Sequence, residues 1–265
     1  MSEAEGQGLG RLAPSPGEAD ALASFGRGEA VEAFCRGRVF CRQLRGGYRF
    51  TQDAVILAGF VRPGPGEKVL DLGCGCGVIG LILAGRWPKI SVHGLEIQPA
   101  LAELARRNVA DSGLSNRLTI THGDLRLIRE LYPQAGFQRV VANPPYFPLG
   151  KFRPNSSPEL AVARHELCAD LPAVIRAMDW VLDMGGYGDL VLPAWRLEQA
   201  AELLREYGFK LVCLQTVHEY PGAPGGVVLI EAVKGEGGER TTLPPFHVRL
   251  QPGGDYTPEM SDCYF

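Results

Sequence analysis

Val69-Leu70-Asp71-Leu72-Gly73-Cys74-Gly75-Cys76-Gly77-Val78-Ile79-Gly80 is a strand, a glycine turn and the start of a helix. The apolar run before Gly73 suits a buried strand. Alternate glycines then allow backbone torsions that other residues avoid, and they let a ligand approach the main chain closely. The helix that opens at Val78 offers free N–H groups at its N-terminus. A strand feeding a helix through such a turn is the opening unit of a sheet with helical crossovers.

Reading outward from this unit, strands and helices alternate. Upstream, Pro63-Gly64-Pro65-Gly66 ends a short apolar helix over Asp53–Phe60, and Val39–Phe50 carries aromatics and arginines on either side of Gly46-Gly47, which predicts a hairpin. Downstream, strands are expected at Ser91–Ile97, Leu118–His122, Arg139–Ala142 and Gly188–Pro193. Helices are expected at Pro99–Asp111, Leu125–Leu131, Leu171–Leu182 and Arg196–Tyr207, the third closed by Gly185-Gly186. Lys210–Val217 and Gly226–Lys234 are two strands with no helix between them, so they pair as an antiparallel hairpin. The fold class is α/β: a mostly parallel, Rossmann-like sheet with an antiparallel terminal hairpin and helices on both faces. The division expected is a disordered tail over 1–28, a hairpin and helix extension over 29–66, and the main domain over 67–265.

The chain has 265 residues, 45% hydrophobic and 22% charged, which is enough for a sizeable core. No apolar run approaches the roughly 20 residues of a membrane span, and the N-terminus lacks a signal-peptide pattern, so a cytoplasmic protein is expected. The 7 cysteines include no Cys-x-x-Cys pair, and Cys74 and Cys76 read as small fillers of a tight turn; no metal is expected. A net charge of −3 argues against a generic nucleic-acid binder. A local basic patch nevertheless exists at Arg36, Arg38, Arg42, Arg45 and Arg49; it suits a phosphate-contacting face or a solvated hairpin.

Gly75-x-Gly77-x-x-Gly80 matches a dinucleotide fingerprint, with Glu96 placed as a ribose-binding acid at the end of the next strand. Asp71 argues against a dinucleotide, because a carboxylate there would repel a pyrophosphate and attract an ammonium group. Asp-x-Gly-x-Gly-x-Gly, with Glu96 and with Asp124 in His122-Gly123-Asp124-Leu125, resembles the class I S-adenosylmethionine-dependent methyltransferases over about Lys68–Gly188. That resemblance implies a seven-stranded sheet and S-adenosyl-L-methionine as cofactor. It implies cofactor contacts at Asp71, Gly73, Gly75 and Gly77, at Glu96 and Ile97 beside the ribose, and at Asp124 and Leu125 beside the adenine.

Asn143-Pro144-Pro145-Tyr146 follows the strand Val140-Val141-Ala142. The prolines fix φ and lack N–H groups, and the first forces Asn143 out of the α region. The result is a rigid turn that presents an amide and an aromatic ring, as needed to hold a planar amino group. Within the class, this tetrapeptide resembles enzymes that methylate adenine N6, guanine N2 or the glutamine side-chain amide. It implies that Asn143 and Pro144 accept the target N–H bonds, Asn143 also bordering the cofactor, while Tyr146 stacks on the target.

The stretch Tyr48–Ala54, Asn143–Phe147, Arg164-His165-Glu166 and Tyr256-Thr257 resembles the tRNA adenine-N6 methyltransferases that act beside the anticodon of valine tRNA. In that family the segment holding Gln52 and Asp53 borders the methionine end of the cofactor. The resemblance implies a tRNA substrate, met by the basic patch and by a loop over 151–164. One departure is Gln138, where an acid is expected before the fourth strand. Protein glutamine N5-methylation and ribosomal RNA guanine-N2 methylation share the chemistry of the tetrapeptide. A dinucleotide-dependent oxidoreductase, or a module that binds cofactor without turnover, would dispense with Asp71 and Asn143.

Overall fold

A computed structural model describes residues 29–44, 49–144 and 170–264. The expected tail at 1–28, Arg45, the Gly46-Gly47 pair, Pro145 with Tyr146, the 151–164 loop and Arg164-His165-Glu166 lie outside them. Strand β3 (Lys68–Leu72) is an interior strand of the sheet. Its side chains alternate: Val69 joins the core on one face, and Leu70 and Leu72 join the core on the other. Both faces are apolar, as a parallel strand covered by helices on each side requires.

Labelling what precedes and follows β3 in chain order gives β1 (Glu29–Phe34), β2 (Val39–Leu44) and α1 (Gln52–Phe60), then α2 (Val78–Arg86), β4 (Ser91–Glu96), α3 (Pro99–Asp111) and β5 (Leu118–His122). A 3-10 turn, Leu125–Leu127, runs into α4 (Ile128–Leu131), followed by β6 (Phe137–Ala142), α5 (Leu171–Val181) and β7 (Leu182–Pro193). A second 3-10 turn, Ala194–Arg196, opens α6 (Leu197–Glu206), and β8 (Phe209–His218) and β9 (Gly225–Lys234) follow. The chain continues through β10 (Thr241–Thr242), β11 (Phe246–His247) and α7 (Pro258–Tyr264). Among the described residues, no helix is long and apolar enough to cross a membrane.

The main path of the sheet runs β5-β4-β3-β6-β7-β9-β8. All neighbours are parallel except β9, which is antiparallel to both β7 and β8. This is the mostly parallel sheet with a reversed terminal pair read from the sequence. The edge is longer than expected, because β10 and β11 each add parallel to β8 and bring the sheet to nine strands. At two residues each, they are too short to leave a periodic signal in the sequence.

Two other expectations shift. The N-terminal hairpin is β1 against β2, with Phe34 opposite Val39, so its turn is Cys35–Arg38. Cys35, Arg36 and Gly37 all have positive φ, the torsions that tight hairpin loops demand. A Cys-Arg-Gly-Arg turn lacks the usual Asn-Gly signature, which drew the expectation to Gly46-Gly47. Gly185-Gly186 do not close a helix. They lie in an irregular stretch of β7 between Leu182, opposite Phe137, and Tyr187, opposite Arg139.

The hairpin lies directly on α2. A Cβ at Gly85 would stand 2.6 Å from Val39 and 2.9 Å from the Cys35 sulfur, so only glycine permits this approach. Asn108 on α3 is fully buried and ties three segments together: it accepts from the Arg42 N–H and donates to the carbonyls of Arg42 and Cys76. From the far end of the sequence, α7 docks on the same hairpin. The Tyr264 ring stacks on Phe34 at 5.3 Å, and the Tyr264 carbonyl accepts from the Cys35 N–H.

One charged cluster is buried in the sheet. Arg139 on β6 is 3% exposed and contacts Asp189 on β7 at 2.7 Å, Glu67 at 2.9 Å and Glu231 on β9 at 3.0 Å. Asp189 has no exposed surface. Removing one partner of such a cluster strands the others in a low dielectric, at a cost of about 3–5 kcal/mol. Arg139→Leu is therefore expected to lower the unfolding free energy by about that amount in chemical denaturation. A loss below about 1 kcal/mol, the worth of an exposed ion pair, would show that the cluster is dispensable.

Candidate active site

The site assembles where the parallel strands end. Asp71 is the fourth residue of β3, Glu96 closes β4, Asp124 follows β5, and Asn143 follows β6. These four strands are consecutive in the sheet, so the four side chains stand in a row along its carboxyl edge. Ligands of open α/β sheets bind at this edge, beside the strand where the chain reverses its direction of winding. Here that strand is β3, flanked by β4 on one side and β6 on the other.

The glycine turn is held from β4. The N–H groups of Gly73 and Cys74 donate to the Leu95 carbonyl at 2.8 and 3.0 Å. The Glu96 carboxylate accepts from the Gly75 N–H and the Gln98 N–H, each at 2.8 Å. Each Glu96 oxygen keeps lone-pair capacity for a further donor. Burial raises the Glu96 pKa, and the N–H groups of Gln98, Gly75 and Ile97 pull it down. Gly73 has φ of +74°, and among the described residues no atom lies within 4 Å of where its Cβ would stand. Gly77, at φ +87°, caps the N-terminus of α2.

Asp71 is 1% exposed. One carboxylate oxygen accepts from the Gly80 N–H at 3.3 Å, and the other has no hydrogen-bond partner among the described residues. Burial pushes its pKa up to about 7, the Gly80 N–H opposing the rise and the Glu96 charge adding to it. A hollow beside this turn is lined by Phe50, Ala54, Gly73–Cys76, Val78, Ile79 and Asn143. Asn143 and the glycine turn thus face one space. Pro144 is buried immediately beyond Asn143.

Asp124 differs from the other acids. It caps the turn Leu125–Leu127 through the Arg126 N–H, and the Arg126 guanidinium forks onto both of its oxygens. This pairing holds the Asp124 carboxyl below the usual carboxylate range. Leu125 packs on the core beneath. The Ile97 carbonyl accepts from His122, which joins the ends of β4 and β5.

Gln52 and Asp53 open α1 at the near wall of the hollow. The Gln52 amide donates to the Tyr256 hydroxyl at 2.5 Å, across 204 residues of sequence. Thr257 caps α7 by accepting from the Met260 N–H. Tyr256, which the sequence marks only through the family likeness, braces α1. Arg126 is the partner of Asp124, and a cation two residues past a capping acid is a local signal for that pairing. The basic patch is reduced by neighbours. Arg42 pairs with Asp111 at 2.6 Å, and Arg49 lies 3.8 Å from Glu32. Arg38 donates to the Cys35 carbonyl, and Arg36 is exposed at the hairpin turn. Gln138, at the position of the expected acid, accepts from the Lys68 N–H at 2.9 Å and donates to Asp183.

Comparison with known proteins agrees with this arrangement. Residues 52–163 match the family described as the methyltransferase small domain. A solved structure from Agrobacterium tumefaciens, described as a predicted O-methyltransferase, superposes with a TM-score of 0.66 at 23% identity, over 80% of this chain and 95% of that one. A ribosomal protein L11 methylase from Lactobacillus delbrueckii subsp. bulgaricus gives 0.50 at 16% identity, over 69% and 77%. At these identities the likeness speaks to fold alone. The tRNA1(Val) (adenine(37)-N6)-methyltransferase of Vibrio campbellii is 31% identical over 188 residues, 71% of this chain and 77% of its own. That of Yersinia pestis (strain Pestoides F) is 30% identical over 218 residues, 80% and 85%. The acid-lined glycine turn, the asparagine-proline edge and this breadth of identity lead to one conclusion: the chain belongs to the tRNA1(Val) (adenine(37)-N6)-methyltransferase family.

Proposed function

We propose that this chain methylates the N6 amino group of an adenine beside the anticodon of a valine tRNA, using S-adenosyl-L-methionine. The observation that carries the reading is the row Asp71, Glu96, Asp124 and Asn143 at the ends of four consecutive parallel strands. The residues fit that cofactor. Asp71 holds a buried, unpartnered carboxylate oxygen toward which an ammonium group is drawn. Gly73 leaves room for close approach to the backbone. Glu96 has capacity for ribose hydroxyls, and Asp124 can accept from an adenine amino group if the Arg126 fork opens. Gln52 and Asp53, at the start of α1, border the methionine end in this reading. The bound cofactor supplies an electrophilic methyl group.

The chain's own task is to present the acceptor nitrogen. In adenine the exocyclic nitrogen shares its lone pair with the ring and is a weak nucleophile. Asn143 Oδ1 and the Pro144 carbonyl accept its two N–H bonds in this reading. Both interactions strengthen as positive charge develops on the nitrogen, so they favour the transition state over the ground state. Tyr146 stacks on the ring and fixes its angle. The exposed Arg36 and the 151–164 loop contribute phosphate contacts, in the cytoplasm where tRNA is found. In this reading 67–265 is the catalytic domain, and 29–66 is an extension that closes the hollow through Phe50 and Ala54.

Valine tRNA incubated with labelled cofactor and digested to nucleosides is expected to yield N6-methyladenosine. Label recovered only in protein would replace this reading by glutamine methylation. Asn143→Ala is expected to lower kcat by about 100- to 1,000-fold, the cost of one preorganised transition-state partner. Its affinity for S-adenosylhomocysteine should stay within about 3-fold, since the lost contact is made to the target. An unchanged kcat would remove Asn143 from the chemistry.

Asp71 also gives the cofactor site a pH dependence. Its pKa is near 7 in the empty site, and a bound ammonium favours the ionised form and lowers that pKa. Binding below pH 7 therefore releases a proton. Affinity for S-adenosylhomocysteine should rise from pH 6 to pH 8 and then level off. Calorimetry in buffers of different ionisation enthalpy measures both effects, and Asp71→Asn should flatten the profile. Proton uptake in place of release would contradict the ammonium contact.

A further inference from the structure

We propose that Trp195 and Arg196 form a stacking platform for an unpaired base flanking the target adenine, with Arg196 meeting the adjoining phosphate. The inference rests on the tRNA reading above. It begins with topology. β7 runs parallel to β6, and Leu190 lies opposite Ala142. β7 ends at Pro193, so the turn Ala194–Arg196 emerges from the same carboxyl edge as Asn143, one strand over. Neighbouring strands are about 5 Å apart, and Pro193 lies three residues, about 10 Å, past the Leu190–Ala142 pair, so the turn stands on the scale of a flanking nucleotide from the amide.

Trp195 is 64% exposed. Trp87 and Trp180, by contrast, each pack against one of the two cores. A large aromatic ring exposed beyond the carboxyl edge of the sheet offers a face on which a base can stack. Arg196 supplies the second half: its guanidinium carbon lies 5.0 Å from the Trp195 ring centroid. Its Nε is shielded from solvent and has no hydrogen-bond partner among the described residues. Arg196 also immediately precedes α6, where the helix dipole disfavours a cation. Helix stability therefore does not account for it, whereas an incoming anion would answer the charge of the guanidinium.

An aromatic face with a cation beside it is the element that binds single-stranded RNA: the base stacks and the guanidinium takes the phosphate. A glutamine side chain offers no neighbouring ring to stack, so the platform favours a nucleic-acid substrate. It differs from the role given to Tyr146, which is to hold the target base itself.

The test uses the full chain and an RNA anticodon stem–loop of valine tRNA, with methyl transfer and fluorescence anisotropy as readouts. Trp195→Ala is expected to raise KM and the RNA Kd by about 10-fold, the scale of one lost base stack. Its kcat, S-adenosylhomocysteine affinity and Tm should remain those of the wild type. Trp195→Phe, which keeps a stacking face, should recover most of the loss. Arg196→Gln should weaken binding and reduce its salt dependence. A stem–loop carrying an abasic site at the stacked neighbour should bind wild type and Trp195→Ala equally. If the wild type methylates the stem–loop and Trp195→Ala matches it in KM, the platform is overturned while the tRNA reading stands. A wild type that neither binds nor methylates the stem–loop overturns both.

Discussion

The glycine turn keeps its shape because β4 holds it. The Leu95 carbonyl takes two N–H groups from the turn, and the Glu96 carboxylate takes a third from Gly75. Three alternate glycines with positive φ, Gly73, Gly75 and Gly77, would otherwise be among the least ordered points of the chain. Fixed in this way, the turn sets the start of α2 and the open side of Gly73. The residue assigned to the ribose is thus also a structural strut. Its burial and its two N–H contacts keep it poised to accept more.

Around this clamp the sheet divides the interior into two apolar layers. The alternation along β3 sends Val69 to the layer shared with the hairpin, α1 and α2, and Leu70 and Leu72 to the layer shared with α5 and α6. The first layer borders the hollow, and contacts between segments far apart in sequence close it. Asn108 joins α3 to the hairpin and the glycine turn, and the Phe34–Tyr264 stack joins α7 to the hairpin.

The sequence made the parallel core legible because its signals are local and repeated: apolar runs, glycine or proline punctuation and helical periodicity. Asp71, Glu96, Asp124 and Asn143 were legible for the same reason, since each follows a strand that could be recognised. What escaped notice was of two kinds. The hairpin turn at Cys35–Arg38 uses positive φ without its usual residues, and β10 and β11 are too short to show a period. The remainder is long-range. Gln52 meets Tyr256, Arg139 meets Asp189 and Glu231, and Asn108 meets the Cys76 carbonyl, none of which a local pattern encodes. Chemistry was therefore easier to read from this chain than support.

The bond between Gln52 and Tyr256 also has a meaning in time. The wall of the hollow formed by α1 leaves the ribosome well before the tyrosine that braces it, 204 residues later. Until then Phe34 and Phe50 lack the ring of Tyr264, which covers the first and closes the layer both belong to. The loop closed by this contact is as wide as most whole domains, so the nascent chain can pair β3 with β4 early and must seal the hollow late. In the order of synthesis, the strands that carry Asp71 and Glu96 therefore precede the residue that braces the pocket wall.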